Sequence, residues 1–202
     1  MVRIRSVVWS IVGPGSFALA ALVGGRLEPG YRRRDEPISG LAARGSRAAH
    51  VMVPGFLGLA AGTLGLAVQL RDSPVAPPPV PVLLGLAGIT TAGAGLARCS
   101  DRSCPSRFLG DDVATTADEL HALLSMTTFV LWVAVPLVAS QRAKGANDRY
   151  RRWSRRLGVF TLGTLLVGGV LTRQPTKRWS GAAQRLMLAS ALAWYPLAGM
   201  TA

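Results

Sequence analysis

Long polar stretches are what this chain lacks. Of its 202 residues 16% are charged, with 10 Asp and Glu against 23 Lys and Arg, and it has two histidines and two cysteines. Each scarcity excludes something. The longest segments outside the apolar runs, 26–49 and 98–119, are too short to bury an independent core, so no separate soluble domain fits. His50 and His121 are too few for a histidine-rich metal site, and a bis-histidine haem would need them to face each other across the fold. No metal site and no cofactor is expected. No Walker-type loop occurs and no serine sits in a nucleophile-elbow pattern, so nucleotide use has no support in the sequence.

What is present is apolar. Half of the residues are hydrophobic and the mean hydropathy is +0.33, a balance that soluble domains of this size rarely show. Six apolar stretches occupy roughly 6–25, 49–70, 78–97, 120–140, 157–172 and 181–200. A hydrocarbon core about 30 Å thick takes about 20 helical residues to cross. The expectation is an all-α, polytopic integral membrane protein, a single domain over 1–202 built as a six-helix transmembrane bundle. The fifth stretch is the shortest and needs Arg155, Arg156 and Arg173 to extend their charged ends to the two interfaces. Met1 to Arg5 and the apolar run after them resemble a signal peptide, with Ala18-Leu19-Ala20 as a cleavage-like site, but five further spans favour an uncleaved first helix.

A net charge of +13 raises the question of nucleic acid. The cations are split between both membrane faces, ten on one and twelve on the other with Arg185 apart, so lipid headgroups, anionic ones included, are the expected partner and nucleic acid is not. Positive-inside counting is therefore indecisive. Cys99 and Cys104 lie on one face, close enough in sequence to form a disulfide if that face is oxidising, with two unpaired thiols as the alternative. The densest basic segment, Arg142 to Arg156, lies on the other. Together they predict a plasma-membrane protein with both termini cytoplasmic.

Gly55, Gly58, Gly62 and Gly65 wind into one stripe in the second stretch, and Gly85, Gly88, Ala92 and Gly95 into another in the third. Small residues let helices approach closely in lipid, so these stripes read as helix contacts. Under this topology Tyr31, Asp35, Ser39, Arg44, His50, Asp101, Asp111, Asp112, Asp118, His121, Gln184 and Arg185 gather on the outer side. Asp118 and His121 share a helix face. Arg185 lies about a turn inside an apolar run and needs a partner, with Asp101, Asp118 or an anionic ligand as candidates. A structural role competes with each: Thr116 with Glu119 fits a capping box, Asp118 suits a first helical turn, and Arg185 can snorkel.

The run Pro29-Gly30-Tyr31 through Pro37-Ile38-Ser39-Gly40-Leu41 to Gly45, the glycine-rich second helix, Cys99 with Asp101, Leu120-His121, and Gly181, Gln184, Arg185 and Trp194 resemble the bacterial membrane family called domain of unknown function 998 (DUF998). Arg32, Arg33, Arg34 and Cys104 depart from its pattern. The resemblance implies a six-helix membrane protein and no particular activity. The leading expectation for function is an outward-facing polar site for an anionic ligand or lipid headgroup. Arg185, Asp101 and Gln184 are its candidate ligand-binding residues, and His121, Asp118 and Ser39 the candidates for any catalysis. The alternatives are a non-catalytic membrane-complex subunit or assembly factor that docks a membrane protein partner, a membrane-embedded hydrolase, and a small transporter. Whether the protein is an enzyme is left open.

Overall fold

The computed structural model describes residues 2–73, 76–106, 114–142, 148–173 and 178–201, and among them every regular element is helical. Six α-helices follow in order: α1 (Val2–Leu27), α2 (Ala49–Leu70), α3 (Pro79–Leu96), α4 (Thr116–Arg142), α5 (Asp148–Thr172) and α6 (Ser180–Thr201). Successive helices are neighbours, and three of the five connections, those after α2, α4 and α5, are short. Each packs on the next, and α6 returns to α1, so the six close into a ring. Five of them, α1 to α5, are long and apolar enough to cross a bilayer. The exception, α6, has 22 residues. Gln184 and Arg185 near its start make it less apolar, yet most of its length is covered by the neighbours on either side. The protein is a helical membrane bundle.

Lipid tails solvate leucine as well as leucine solvates itself, so helix contacts here rest on close approach and shared hydrogen bonds. The α1–α2 seam shows the first. Trp9, Gly13, Ser16 and Ala20 of α1 lie against Gly65, Gly62, Gly58 and Gly55 of α2, pairing the glycine stripe in antiparallel register. A Cβ on Gly62 would lie 2.5 Å from the Gly13 Cα, so the two backbones touch where both residues lack side chains. On another side α2 meets α3, where Gly88 receives Leu64 and Gly95 receives Phe56. Gly85, expected in the same stripe, belongs to no seam: a Cβ added there would have nothing within 4 Å.

Hydrogen bonds join the interior of the ring. Tyr195 on α6 accepts from Trp132 Nε1 on α4 at 3.0 Å and meets Thr63 Oγ1 on α2 at 2.9 Å. Thr161 pairs with Ser190 at 2.9 Å, and Trp194 donates to Ser154 at 3.0 Å. An unpaired polar group in hydrocarbon costs several kcal/mol, and these pairings avoid that cost while choosing which helix faces meet.

Two boundaries differ from the sequence expectation. The basic segment after α4 reads as a loop in the sequence, but from Asp148 onward it forms the first turns of α5, with the guanidinium of Arg156 5.3 Å from the centre of the Trp153 ring. Arginine is a good helix former and its exposed side chains are free to spread, so the helix that must span begins before the membrane does. The cap of α4 is also one residue earlier than Thr116 with Glu119 suggests. Thr115 and Asp118 reciprocate instead, the Thr115 N–H donating to Asp118 Oδ2 at 2.8 Å and the Asp118 N–H to Thr115 Oγ1 at 3.3 Å.

Candidate functional site

The connection between α1 and α2 folds into the end of the ring as a cap. Its 3-10 turn, Ile38–Ala42, is buried throughout. Proline at 37 sets an extended entry, and small residues at Ser39, Gly40, Ala42 and Ala43 let the backbone sink between helices. Gly40 permits the closest approach: a Cβ there would collide with the Arg102 carbonyl.

Three sets of bonds hold the cap. The first joins it to α6. Ala182 N–H donates to the Arg34 carbonyl at 2.8 Å, Ser180 Oγ to the Asp35 carbonyl at 2.7 Å, and Ile38 N–H to Gln184 Oε1 at 2.7 Å. Arg185 completes this set. Its Nη1 donates to the carbonyls of Arg33, Glu36 and Gly181 and its Nη2 to the Tyr31 hydroxyl, with the guanidinium over the Tyr31 ring. Its partners are thus carbonyl dipoles and a phenol, and not Asp101 or Asp118 as expected from charge alone. A peptide carbonyl offers an acceptor without the cost of burying a carboxylate, which is why a guanidinium a turn inside a helix can be held this way.

The second set joins the cap to the segment after α3. Arg98 donates to the carbonyls of Ala42 and Ala43 at 2.8 and 2.9 Å, and Arg44 N–H to the Cys99 carbonyl at 2.8 Å. Arg102 reaches back to the Pro29 carbonyl at 2.9 Å and to Glu28 at 3.4 Å. Cys99 and Cys104 are disulfide-bonded in the structure. The third set ties that segment to α4. Asp118, fully buried, accepts from Ser100 N–H and Ser100 Oγ, both at 2.7 Å, as well as from Thr115. Asp101 accepts from Ser103 N–H and Oγ within its own turn and touches neither Arg185 nor Asp118.

The electrostatics of the cap follow from these bonds. Burial pushes the Glu28 carboxyl up, but hydrogen bonds from Ser46 and from the N–H groups of Ala48 and Arg47, with the Arg102 charge, outweigh it and hold Glu28 below the usual carboxylate range. The Arg34 guanidinium and the Trp179 N–H bring Asp35 down to about 2. Burial raises the Tyr31 phenol despite the Arg185 charge beside it, so Tyr31 stays a neutral acceptor.

Two spaces adjoin the cap. Beneath it, inside the ring, a chamber of about 30 Å³ is lined by Ser39 from the cap, Phe56, Thr91, Ser125, Trp132 and Gln184, among others. His121, 4% exposed, stands beside it: Nδ1 is 2.8 Å from the Ala94 carbonyl and 3.0 Å from that of Ala97, and Nε2 is 3.2 Å from Ser125 Oγ. On the outside, a groove of about 590 Å³ is lined by Ser46, Arg47, Ala49, His50, Val53, Pro54 and Arg98. The one cluster of metal-type ligands among the described residues is Cys99, Cys104 and His121, whose ligand atoms lie within 4.8 Å of one another. Bonded to each other, the sulfurs offer no thiolate to a metal.

The structure therefore brings Gln184, Arg185 and Tyr31 together as a latch and His121 with Ser125 as a pair, while Asp118 serves the loop. Ser39 contacts the chamber and Asp101 stands apart. Asp111, Asp112 and Lys144 lie outside the described residues. Sequence reasoning missed Ser125, although its spacing of four from His121 on one helix was a readable signal. It also missed the groove arginines, whose convergence depends on how the cap folds. The family described as a protein of unknown function, DUF998, matches residues 11–201. No curated protein and no solved structure matches the chain.

Proposed function

Since the chain belongs to DUF998, we propose from its geometry that it is a multi-pass plasma-membrane protein whose cap end faces outward and holds an anionic lipid headgroup, both termini being cytoplasmic. The observation that carries this reading is the groove: Arg47, His50 and Arg98 line it together with Val53 and Pro54 of α2, placing two guanidiniums and an imidazole beside apolar side chains of a membrane-crossing helix. Arg98 gives two N–H groups to the cap carbonyls, and a guanidinium has five. Arg47 and His50 are exposed. The carboxylate bound to Ser46 and Ala48, Glu28, is paired with Arg102, which leaves the Arg47 and Arg98 guanidiniums to a ligand. Arg185, whose Nη1 and Nη2 are engaged by the cap and by Gly181, is not the anion-binding group in this reading; Gln184 and Arg185 secure the floor on which the site is built.

A cation near an anionic membrane surface contributes about 1 kcal/mol, so Arg47→Gln weakens binding about fivefold, and adding His50→Gln removes a further donor and weakens it more. Native mass spectrometry of protein from vesicles containing phosphatidylglycerol measures this directly. Retention of the same anionic lipid at the same occupancy by the double variant would overturn the proposal. The reading would then pass to a subunit whose polar cap docks a membrane protein partner.

A further inference from the structure

We propose that Ser125 is a nucleophile activated by His121, and that the chamber beneath the cap is an acyl-transfer site for a lipid ester. This site is separate from the groove and does not depend on it.

The protonation of the ring follows from its partners. Ala94 and Ala97 present carbonyl oxygens to Nδ1, and carbonyls only accept, so Nδ1 carries the hydrogen. In the neutral imidazole Nε2 then has the lone pair, and the Ser125 hydroxyl, 3.2 Å away, donates to it. That is the arrangement of a general base with its tautomer set by a second group, here two peptide carbonyls from the end of α3 in place of a carboxylate. His121 is buried and enclosed by α3, the disulfide and α4, and Asp118, the carboxylate a turn before it, is occupied by Ser100 and Thr115.

Ser125 also has something to react with. Its side chain lines the chamber, whose other polar groups include Ser39 and Gln184. Ile38 N–H requires an acceptor, so the Gln184 oxygen faces the cap backbone and its NH₂ remains as a donor able to polarise a carbonyl. The remaining walls include Phe17, Phe56, Phe129, Trp132 and Leu188, a surface suited to a hydrocarbon chain. At 1.5 Å per residue Ser125 lies about 13 Å along α4 from Thr116, within the apolar span, so a scissile ester must be drawn below the headgroups to reach it. At about 30 Å³ the chamber holds little more than a water, so an acyl group enters only as the cap lifts.

The reaction balances. Ser125 Oγ attacks the ester carbonyl carbon as its proton passes to His121 Nε2, and the ester C–O bond breaks as that proton passes to the departing alcohol. The product is O-acyl Ser125. Water then attacks the acyl carbon, giving a proton through Nε2 to Ser125 Oγ, and a free carboxylic acid leaves.

An alkyl fluorophosphonate, which phosphonylates activated serines, tests the site in the full chain reconstituted in nanodiscs. The expected result is one added phosphonyl group, mapped to Ser125, and absent in Ser125→Ala. Labelling of His121→Gln should be slower by roughly 100-fold or more, the usual contribution of a general base. Ser125→Cys serves as a second variant should His121→Gln fail to fold: with His121 intact, its thiol should react with an apolar iodoacetamide faster than that of Thr128→Cys. No labelling of the parent, labelling that persists in Ser125→Ala, or a thiol in Ser125→Cys no faster than the one in Thr128→Cys would each overturn the proposal and leave the Ser125 hydrogen bond as a way of satisfying a buried histidine.

Discussion

Asp118 shows how a single carboxylate can be structural in a place where chemistry was expected. Four donors converge on its two oxygens, two from Ser100 and two from Thr115. Asp118→Asn keeps the shape but turns an NH₂ toward groups that are themselves donors. We expect the variant to be less stable by about 2 kcal/mol, because buried donors lose an acceptor they cannot replace. The thermal melt in detergent measures it, and a melt equal to the parent's would show that water reaches the site. Arg185 teaches the same lesson with the opposite charge. From the sequence its position demanded a counter-ion or an anionic ligand, but the loop between Tyr31 and Pro37 supplies carbonyls at the right place. Nothing in a one-dimensional pattern tells a buried arginine from a liganded one when the acceptors are backbone atoms.

Among the elements, the α1–α2 seam gives the sharpest contrast. Gly62 faces the Gly13 backbone, whereas Gly85 of α3 faces open space, although both sit in small-residue stripes. Gly62→Leu should separate α1 from α2, and Gly85→Ala should be neutral or slightly stabilising, since alanine is the better helix former by about 1 kcal/mol. Comparing the two melts, and the protease sensitivity of α1, checks the pair. Equal behaviour would mean that the seam is not held by backbone contact. α5 is the opposite kind of element. Few of its side chains are buried, those that are being mostly small or hydroxyl-bearing residues such as Gly158, Thr161 and Thr164 on the face toward its neighbours. Its first turns carry the arginines that the sequence placed in a loop, because charge pattern alone does not mark where a helix leaves the lipid.

For the whole molecule, orientation is the property on which the functional readings depend. The cap end has the disulfide and most of the acids, and the other end has the arginines at the start of α5. With the cap outward, a cysteine replacing Ser46 should react with an impermeant thiol reagent on intact cells, and one replacing Ser73 should react only after the membrane is opened. The native pair, being bonded, stays silent in the experiment. Labelling at 73 without labelling at 46 would invert the molecule and move both the groove and the chamber to the cytoplasmic side.

The apolar stretches by themselves determined that this is a membrane bundle and where its helices lie to within a few residues, apart from the early start of α5, because the bilayer leaves an uninterrupted apolar run almost no other way to satisfy its backbone. Family membership was also legible, in short motifs spread over nearly the whole chain. What only the tertiary structure decided is how the polar residues are used. Ring closure of α6 on α1 and the sinking of Ile38–Ala42 into its end place residues such as Ile38 and Gln184, 146 apart in sequence, in one hydrogen bond. That convergence makes Arg185 a latch and Asp118 an anchor, and it sets Ser125 beside a histidine whose free nitrogen is chosen by carbonyls from another helix. Side-chain chemistry is written locally, but which partner satisfies it depends on distances that exist only after the chain has folded.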